Sequence, residues 1–377
     1  MCGIAGYIGP RNAVDVVVDQ IKRLEYRGYD SAGVAYVESG RIASMKRAGK
    51  LAELQKVVSD ERPDSRIAIA HSRWATHGSP TDLNAHPHFD QFGKVAVIHN
   101  GIIENYLEIK EELVRAGHVF QSETDTEVAA HLIGNEIAAG SCLTEAVRKV
   151  AGRLTGAYAL VVMTQTEPGT LVCARNASPL VLGFGDGENM IASDIPAVLP
   201  YTRRVAIMDE NLVATVTSEK ITAQTLDGRP VELEPFEVDW DVEAAEKGGY
   251  EHFMLKEIHE QPDVIRQCLA GRMDEDSVRL EGMFSDHVWQ EIDRVNIIAC
   301  GTAYHAGLMG KHLFEKMLQL PTDVYFSSEF RYGDPILSPR SLAVFVSQSG
   351  ETADSLAALK LCKSRRIRTL GIVNVVG

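Results

Sequence analysis

The spacing of short apolar runs changes once along the 377-residue chain, and this change constrains the fold more than any other feature. Up to about residue 217, runs such as CGIAGYIG, KVAVIHN and GAYALVVM alternate with turn residues. Strands spaced this closely along a chain are typical of antiparallel sheets. Helical patterns, with apolar residues three and four apart, lie among them at residues 13–25, 104–116, 124–138 and 143–154. An α+β domain is therefore predicted.

A second pattern begins after residues 226–250, an acidic segment that is poor in aliphatic residues and closed by a glycine pair. Beyond it, VNIIAC is followed by the polar turn GTAYH and a helical pattern from about residue 306, and LAVFVS by QSGET and a helical pattern at 353–363. This alternation predicts parallel strands with helical crossovers. The final GIVNVVG resembles one more such strand without its helix. We expect a domain at 2–225, a linker at 226–250, and the N-terminal part of an incomplete second domain at 251–377.

Charge and cysteine usage narrow the possible functions. The formal net charge of -14 disfavours binding to nucleic acids or anionic membranes. No apolar run approaches the roughly 18 residues of a membrane span, and the N-terminus does not resemble a signal peptide, so the cytoplasm is predicted. The six cysteines form no CxxC pair, and NAHPHFD has no further Cys or His close by. Neither a metal nor a cofactor is predicted.

The residue after the initiator methionine is Cys2. Removal of Met1 would place a thiol and a free α-amine on one residue. Because their reference pKa values are about 8.5 and about 8, the amine can act as a base toward the thiol at neutral pH. Gly3, without a side chain, would let a substrate approach the thiol closely. A small residue that opens a buried strand is the structural alternative.

Three further segments carry groups that amide hydrolysis by a thiol needs. Residues 73–78, RWATHG, offer a guanidinium, a hydroxyl and an imidazole to an α-carboxylate. Asn100 and Gly101 could direct a side-chain amide and a backbone N–H at a tetrahedral oxyanion. Asp125, within SETDTE, could accept a hydrogen bond from an α-ammonium. Together these groups describe an amino acid held beside a nucleophile.

Each segment also has a purely structural interpretation. Thr124 and Glu127 fit a helix capping box, Asn100 and Gly101 fit a tight turn, and Arg73 fits a surface ion pair. It is their joint occurrence that favours the functional interpretation.

Several motifs resemble the class II glutamine amidotransferase family, and the resemblance extends over essentially the whole chain. They are CGIAGYIG, LEYRGYDSAG, HSRWATHG, NAHPH, HNGIIEN and SETDTE. The resemblance implies an N-terminal-nucleophile (Ntn) hydrolase domain, four αββα layers with antiparallel sheets, followed by an α/β parallel-sheet sugar isomerase (SIS) domain. It implies that Cys2 is the nucleophile, that Asn100 and Gly101 form the oxyanion hole, and that glutamine is bound by Arg73, Thr76, His77 and Asp125. Trp74 would gate the passage of ammonia, and Arg27 would order the site around the thiol.

The second part of the chain continues the resemblance. KEIHEQP, residues 256–262, is similar to the segment that leads into a SIS domain. In that fold, backbone N–H groups and hydroxyls of a polar turn at a helix N-terminus bind phosphate. The resemblance implies a sugar-phosphate site formed by Cys300, Gly301, Thr302, Ser347, Gln348, Ser349 and Thr352. Ala303 departs from the family pattern, because many relatives have a serine there.

The implied activity is that of an enzyme that hydrolyses L-glutamine and delivers ammonia to fructose 6-phosphate, giving glucosamine 6-phosphate and glutamate. The full-length enzyme would be a homodimer. The family's groups for ring opening and isomerisation lie in a second SIS domain and a tail beyond this sequence, so we expect glutaminase activity and partial sugar-phosphate binding. Two alternatives remain. One is an amidotransferase acting on phosphoribosyl pyrophosphate or in asparagine synthesis, against which SQSGET and CGT argue. The other is a non-enzymatic sugar-phosphate-binding module.

Overall fold

The computed structural model describes residues 2–25, 30–73, 79–239, 250, 252–269, 286–350 and 352–373. The chain divides into two compact units, Met1–Phe253 and Met254–Gly377. Among the described residues, we find no helix whose length and hydrophobicity would suffice to cross a membrane.

The first unit contains strands and helices in this order along the chain: β1 (Gly3–Ile8), α1 (Ala13–Arg23), β2 (Ser31–Glu38), β3 (Arg41–Ala48), α2 (Leu51–Glu61), β4 (Ile67–Arg73), β5 (His88–Phe89), β6 (Val95–Ile103), α3 (Tyr106–Arg115), α4 (Glu127–Ala138), α5 (Leu143–Ala151), β7 (Gly156–Thr164), β8 (Leu171–Asn176), β9 (Val181–Phe184), β10 (Asn189–Ala192), β11 (Arg204–Ile207), β12 (Leu212–Val216), β13 (Ile221–Thr225), β14 (Pro230–Val231) and β15 (Phe236–Glu237). One sheet has the order β15-β11-β9-β10-β1-β4-β2-β3 and the other β14-β13-β12-β8-β7-β6-β5. The paired strands are antiparallel.

The alternation of side chains along β1 explains how the layers form. Ile4 and Ile8 face a core between the two sheets, which also contains Ile98 of β6. Ala5 and Tyr7 point the other way, into a core shared with α1 and α2. A third core joins the second sheet to α3, α4 and α5. Since both faces of a strand are covered in this way, the predicted four-layer αββα arrangement is confirmed.

The predicted helices of the first unit occur, with shorter ends. The first is capped by Asn12, whose side-chain oxygen accepts a hydrogen bond from the Val14 amide at 3.2 Å. No pattern indicated α2, which buries Leu51, Leu54 and Val58 on one face. The helix predicted at 124–138 begins at Glu127 instead.

The segment predicted to be a linker contributes to the sheets in its first half. Strand β14 pairs with β13, and β15 pairs with β11. Each of these strands has two residues and lies at the edge of its sheet, and Val231 is the one aliphatic side chain between them, which is too little for a strand pattern. Residues 240–249 lie outside the described part of the chain.

The second unit contains α6 (Phe253–Leu269), α7 (Asp286–Glu291), β16 (Arg294–Ala299), α8 (Thr302–Leu313), β17 (Thr322–Phe326), α9 (Ser327–Tyr332), β18 (Ser341–Ser347), α10 (Ala353–Ser364) and β19 (Arg368–Val373). Its sheet is parallel, in the order β17-β16-β18-β19. Buried clusters lie on both of its faces. The parallel α/β prediction is therefore confirmed.

Candidate functional site

Cys2 lies directly before β1, in the middle of the eight-stranded sheet, and is partly exposed. Cys2 and Ile4 are two positions apart, so they lie on the same face of the extended chain, and Ile4 faces the core between the sheets. A Cβ atom at Gly3 would lie 2.6 Å from Ser72 Oγ and 3.0 Å from Leu24 Cβ. The absence of a side chain at Gly3 therefore permits packing against β4 and Leu24. The expectation that it also lets substrate approach the thiol stays a prediction.

Asn100 and Gly101 lie inside β6, paired with Ala159 and Tyr158 of β7. The tight-turn interpretation of these two residues is therefore wrong. The Asn100 side chain is buried, and its Nδ2 donates a hydrogen bond to the Cys2 carbonyl oxygen at 3.0 Å. This contact joins residues 98 positions apart in the chain.

Gly101 has a backbone φ of +123°. A Cβ atom at this position would overlap the carbonyl oxygen of Ala157. Both the left-handed backbone and the close approach of β7 therefore require glycine. Gly101 is nevertheless exposed, so it is accessible to solvent on the side away from Ala157.

Arg73 ends β4 and is 3% exposed. Burial lowers the pKa of Arg73, and the carboxylates of Asp125 and Asp30, together with the ionised form of Cys2, act in the opposite direction. Its Nη1 also lies 3.4 Å from the carbonyl oxygen of Ser79. The guanidinium is thus a buried cation within the electrostatic influence of Cys2 and Asp125. The prediction of a surface ion pair for Arg73 is wrong.

Asp125 is also buried, at 5% exposure. Its Oδ2 accepts a hydrogen bond from the Ile103 amide at 2.8 Å and lies 3.9 Å from His99 Nδ1. This places a carboxylate at the end of the strand that carries Asn100.

Glu127 does not complete a capping box with Thr124. Its carboxylate instead accepts hydrogen bonds from the amides of Gln121 and Ser122, both at 2.7 Å, and from Ser122 Oγ at 2.6 Å. Burial raises the pKa of Glu127, but these bonds together with His131 lower it to about 2. The carboxylate therefore fixes the loop that carries Asp125.

Buried histidines surround this region. The sequence patterns assigned no role to His71 and His99, and they offered His86 and His88 of NAHPHFD only as metal ligands without a further partner. His71 Nε2 lies 2.9 Å from both Asn100 Oδ1 and the His99 carbonyl oxygen. Thr126 Oγ1 lies 2.9 Å from His86 Nε2 and 2.9 Å from His99 Nδ1. Burial lowers the pKa of His71 to about 3, and it lowers the pKa of His86 and His88 well below the ordinary value. The alternation of Ile67, Ile69 and His71 is the signal that could have found the first of them, since it places His71 in line with Arg73.

Four predicted site residues lie outside the described residues: Arg27, Trp74, Thr76 and His77.

The predicted sugar-phosphate residues follow β16 and β18 of the second unit. Because these parallel strands are neighbours, the turns after them meet at the same edge of the sheet. The first turn holds Cys300 and Gly301, where φ is +57°, and α8 begins at Thr302. The helix expected from about residue 306 therefore begins four residues earlier.

The second turn contains residues 347–350 and Thr352, the residue that precedes α10. Ser347 Oγ accepts a hydrogen bond from the Gly350 amide at 3.1 Å and lies 3.4 Å from Thr352 Oγ1. Gly350 has a φ of +71°, a conformation that glycine adopts freely. Gln348 is exposed and Ser349 is partly buried in the same turn.

Two buried serines link the turns and were missed from the sequence. Ser355 Oγ lies 3.9 Å from Cys300 Sγ and 2.8 Å from Ser327 Oγ. Ser355 is in the first turn of α10, and Ser327 begins α9 directly after β17. The carboxyl ends of three neighbouring strands are thereby connected, and only the order of strands in the sheet could have revealed this.

Comparison with known families finds two domains. Residues 71–200 match the glutamine amidotransferase domain, and residues 290–377 match the SIS domain. Curated relatives match over the whole chain. Two of them are the glutamine–fructose-6-phosphate aminotransferases [isomerizing] of Symbiobacterium thermophilum, 52% identical over 385 residues, and of Thermus thermophilus, 51% identical over 378 residues. The match covers 100% of this chain and 62% of each relative.

Among solved structures, the glutamine phosphoribosylpyrophosphate amidotransferase of B. subtilis matches with a TM-score of 0.55 and 18% identity. The match covers 99% of this chain and 81% of that one. At 18% identity this match shows the fold alone. The shared fold agrees with the Ntn-hydrolase architecture.

Proposed function

Since the chain belongs to the class II glutamine amidotransferase family and carries a SIS domain after the glutaminase domain, we propose that it hydrolyses L-glutamine and supplies the ammonia to a sugar phosphate. The acceptor proposed is fructose 6-phosphate, and the products are glucosamine 6-phosphate and glutamate. The names of the relatives support this acceptor, although the chain spans only 62% of their length. No metal and no cofactor take part in the proposed reaction.

The observation that carries the glutaminase proposal is the contact between Asn100 and Cys2. The Asn100 Nδ2 lies 3.0 Å from the carbonyl oxygen of Cys2, so one amide hydrogen is used there. The second hydrogen of the same NH₂ group is available to an oxyanion formed beside the Cys2 thiol. The Gly101 N–H supplies a further donor from the same strand.

The reaction proceeds in two steps. After removal of Met1, the α-amine of Cys2 takes the thiol proton, and the sulfur attacks the carboxamide carbon of glutamine. Asn100 and Gly101 stabilise the tetrahedral oxyanion. The C–N bond breaks, the nitrogen takes up the proton, and ammonia leaves a thioester on Cys2. Water then attacks the thioester, which releases glutamate and restores the thiol.

The substrate's own charges are met by the buried Arg73 and Asp125. We propose that Arg73 binds the α-carboxylate and that Asp125 accepts a hydrogen bond from the α-ammonium. Because both lie in a region of low dielectric, their interactions with the substrate are stronger than at a surface. Thr76 and His77 would complete this set, Arg27 would order the site, and Trp74 would gate the ammonia.

The sugar phosphate is proposed to bind at the two turns of the second unit. The described residues of the turn after β18, 347–350 and Thr352, precede the twelve-residue helix α10, and the dipole of that helix favours an anion at its N-terminus. Hydroxyls of Ser347, Ser349 and Thr352 and the amide of Gln348 would add donors. The neighbouring turn would contribute Cys300, Gly301 and Thr302.

We propose 2–225, 226–250 and 251–377 as the functional division of the chain, and a cytoplasmic homodimer.

The test is glutamate release from glutamine by the Met1-processed chain, with and without fructose 6-phosphate, alongside Cys2→Ala. We expect the wild-type chain to release glutamate and Cys2→Ala to release none. We also expect the glutamine analogue DON to alkylate Cys2. A processed chain that neither releases glutamate nor reacts with DON would refute the glutaminase. Unchanged activity together with no detectable fructose 6-phosphate binding would refute the acceptor alone.

A further inference from the structure

The side chain of His71 is completely buried where the core between the two sheets ends. On β4 it continues the alternation of Ile67 and Ile69, which belong to that core. Asn100 continues the alternation of Ala96 and Ile98 on β6 of the other sheet. The two polar residues therefore replace apolar ones at the same level of two facing sheets, and they meet there.

The hydrogen-bond pattern fixes which atoms carry hydrogen. His71 Nε2 is 2.9 Å from Asn100 Oδ1 and 2.9 Å from the His99 carbonyl oxygen. The carbonyl oxygen of His99 can only accept, so Nε2 carries the hydrogen and donates it. On the other side, the Cys2 carbonyl oxygen can only accept, so the atom facing it is the Asn100 nitrogen.

The state of the ring agrees with this assignment. Burial lowers the pKa of His71 to about 3, so the imidazole is neutral near pH 7. Its Nδ1 has no hydrogen-bond partner among the described residues, so no contact there requires a proton on that nitrogen. The ring also lies against His86, with 4.1 Å between the ring centroids. The donor is thus held at one position and in one tautomer.

An asparagine amide can rotate by 180° about its terminal bond, which exchanges its oxygen and nitrogen. In the rotated state, the Asn100 oxygen would face the Cys2 carbonyl and the developing oxyanion, and both would repel it. We propose that His71 is a positioning residue for glutamine hydrolysis, which holds the Asn100 amide with its NH₂ group toward the thiol. This inference rests on the proposed glutaminase function and adds to it a residue that does not touch the substrate.

The experiment compares His71→Leu with His71→Gln, since glutamine can place an N–H near the position of Nε2 and leucine cannot. We expect His71→Leu to lower kcat for glutamate release by about tenfold to a hundredfold, because a misplaced oxyanion donor weakens the transition state. KM should change by less than about twofold, since ground-state binding is not altered. The rate of Cys2 alkylation by iodoacetamide, a reaction without an oxyanion, should stay at the wild-type value. His71→Gln should recover a large part of kcat.

The matched control is His88→Leu. It removes another buried histidine, whose Nε2 bonds to Thr124 Oγ1 at 3.1 Å and not to Asn100. This variant should keep kcat close to that of the wild type. A His71→Leu chain with wild-type kcat overturns the inference, and so does a parallel loss of hydrolysis and of alkylation. If His71→Leu does not fold, His71→Gln and His71→Asn replace it, and equal kcat values for these two overturn the inference.

One measurement keeps the inference separate from the proposed function. Hydrogen exchange of the Asn100 side-chain amide, followed by NMR, should be at least about tenfold faster in His71→Leu than in the wild type. Unchanged exchange overturns the inference whether or not the chain hydrolyses glutamine. A wild-type chain without glutaminase activity refutes the proposed function alone.

Discussion

The two candidate sites are built in different ways. In the first unit, side chains from the inner faces of two antiparallel sheets meet, and Asn100, His71 and Arg73 are all buried. In the second unit, turns after parallel strands present backbone amides and hydroxyls, and Gly301 and Gly350 take positive φ values. The first site therefore depends on the stacking of two sheets and on buried polar side chains, whereas the second depends on local backbone conformation.

The largest expected effect concerns Gly101. Gly101→Ala would bring a Cβ onto the Ala157 carbonyl oxygen and would displace the strand that carries Asn100. We expect kcat for glutamate release to fall by at least about a hundredfold, as for loss of an oxyanion donor. Gly93→Ala is the control, because Gly93 also has a positive φ but no atom lies within 4 Å of its added Cβ. Comparable losses in both variants would show that backbone strain, not sheet stacking, decides the first site.

The next effect is the acid sensitivity of the first unit. The folded pKa of His71 is about 3, below the ordinary value of 6.5, so the unfolded chain binds more protons between these values. The stability from this group is complete above pH 6.5 and is lost as the pH falls toward 3. From pH 7 to pH 5, His71 alone should lower the free energy of unfolding by about 2 kcal/mol.

Urea unfolding at the two pH values, followed by a probe in the first unit, measures this loss. His71→Gln provides the control, since it removes this titrating group and should reduce the pH dependence by about 2 kcal/mol, while the buried His86 and His88 still contribute to it. A wild-type unfolding free energy that is equal at pH 7 and pH 5 would contradict the buried neutral histidine.

A smaller effect is expected in the second unit. Ser347→Ala removes the oxygen that accepts from the Gly350 amide at 3.1 Å and loosens the turn. Fructose 6-phosphate should bind about tenfold more weakly, the equivalent of one good hydrogen bond, with glutamate release unchanged. Ser364→Ala, at the opposite end of α10, is the matched control and should bind as the wild type does. Isothermal titration calorimetry measures both, and equal affinities would remove Ser347 from the proposed site.

The smallest effect concerns Lys46, a partly buried charge in the field of Glu127. Burial lowers the pKa of Lys46 to about 8, while Glu127 and Asp82 act in the opposite direction. Its Nζ makes a long hydrogen bond, 3.4 Å, to the Leu83 carbonyl oxygen. Lys46→Met should therefore raise the free energy of unfolding by about 1 kcal/mol at pH 7. The exposed Lys56→Met on α2 should leave it nearly unchanged, and a destabilised Lys46→Met would contradict a net cost of this charge.

Much of the architecture could be predicted from local patterns. The helices near residues 13–25 and 143–154 and the parallel strands around VNIIAC and LAVFVS follow from apolar spacing and occur as expected. Helix α2 was missed because its apolar face is narrow, and β14 and β15 were assigned to a linker because edge strands need few aliphatic residues. The turn after β16 was predicted too long, because Thr302 and Tyr304 are polar residues within a helix.

The sequence by itself determined the chemical groups: a thiol beside the N-terminus, an Asn-Gly pair, an arginine at the end of a strand and a serine-rich turn before a helix. The position of Asn100 inside a strand, the bonds of Glu127 to the loop before it and the contact between His71 and Asn100 became visible in the folded chain. The physical reason is that periodicity fixes which face of a strand a residue occupies. The distance between faces of two different sheets depends on how their side chains pack, and no local pattern carries that distance.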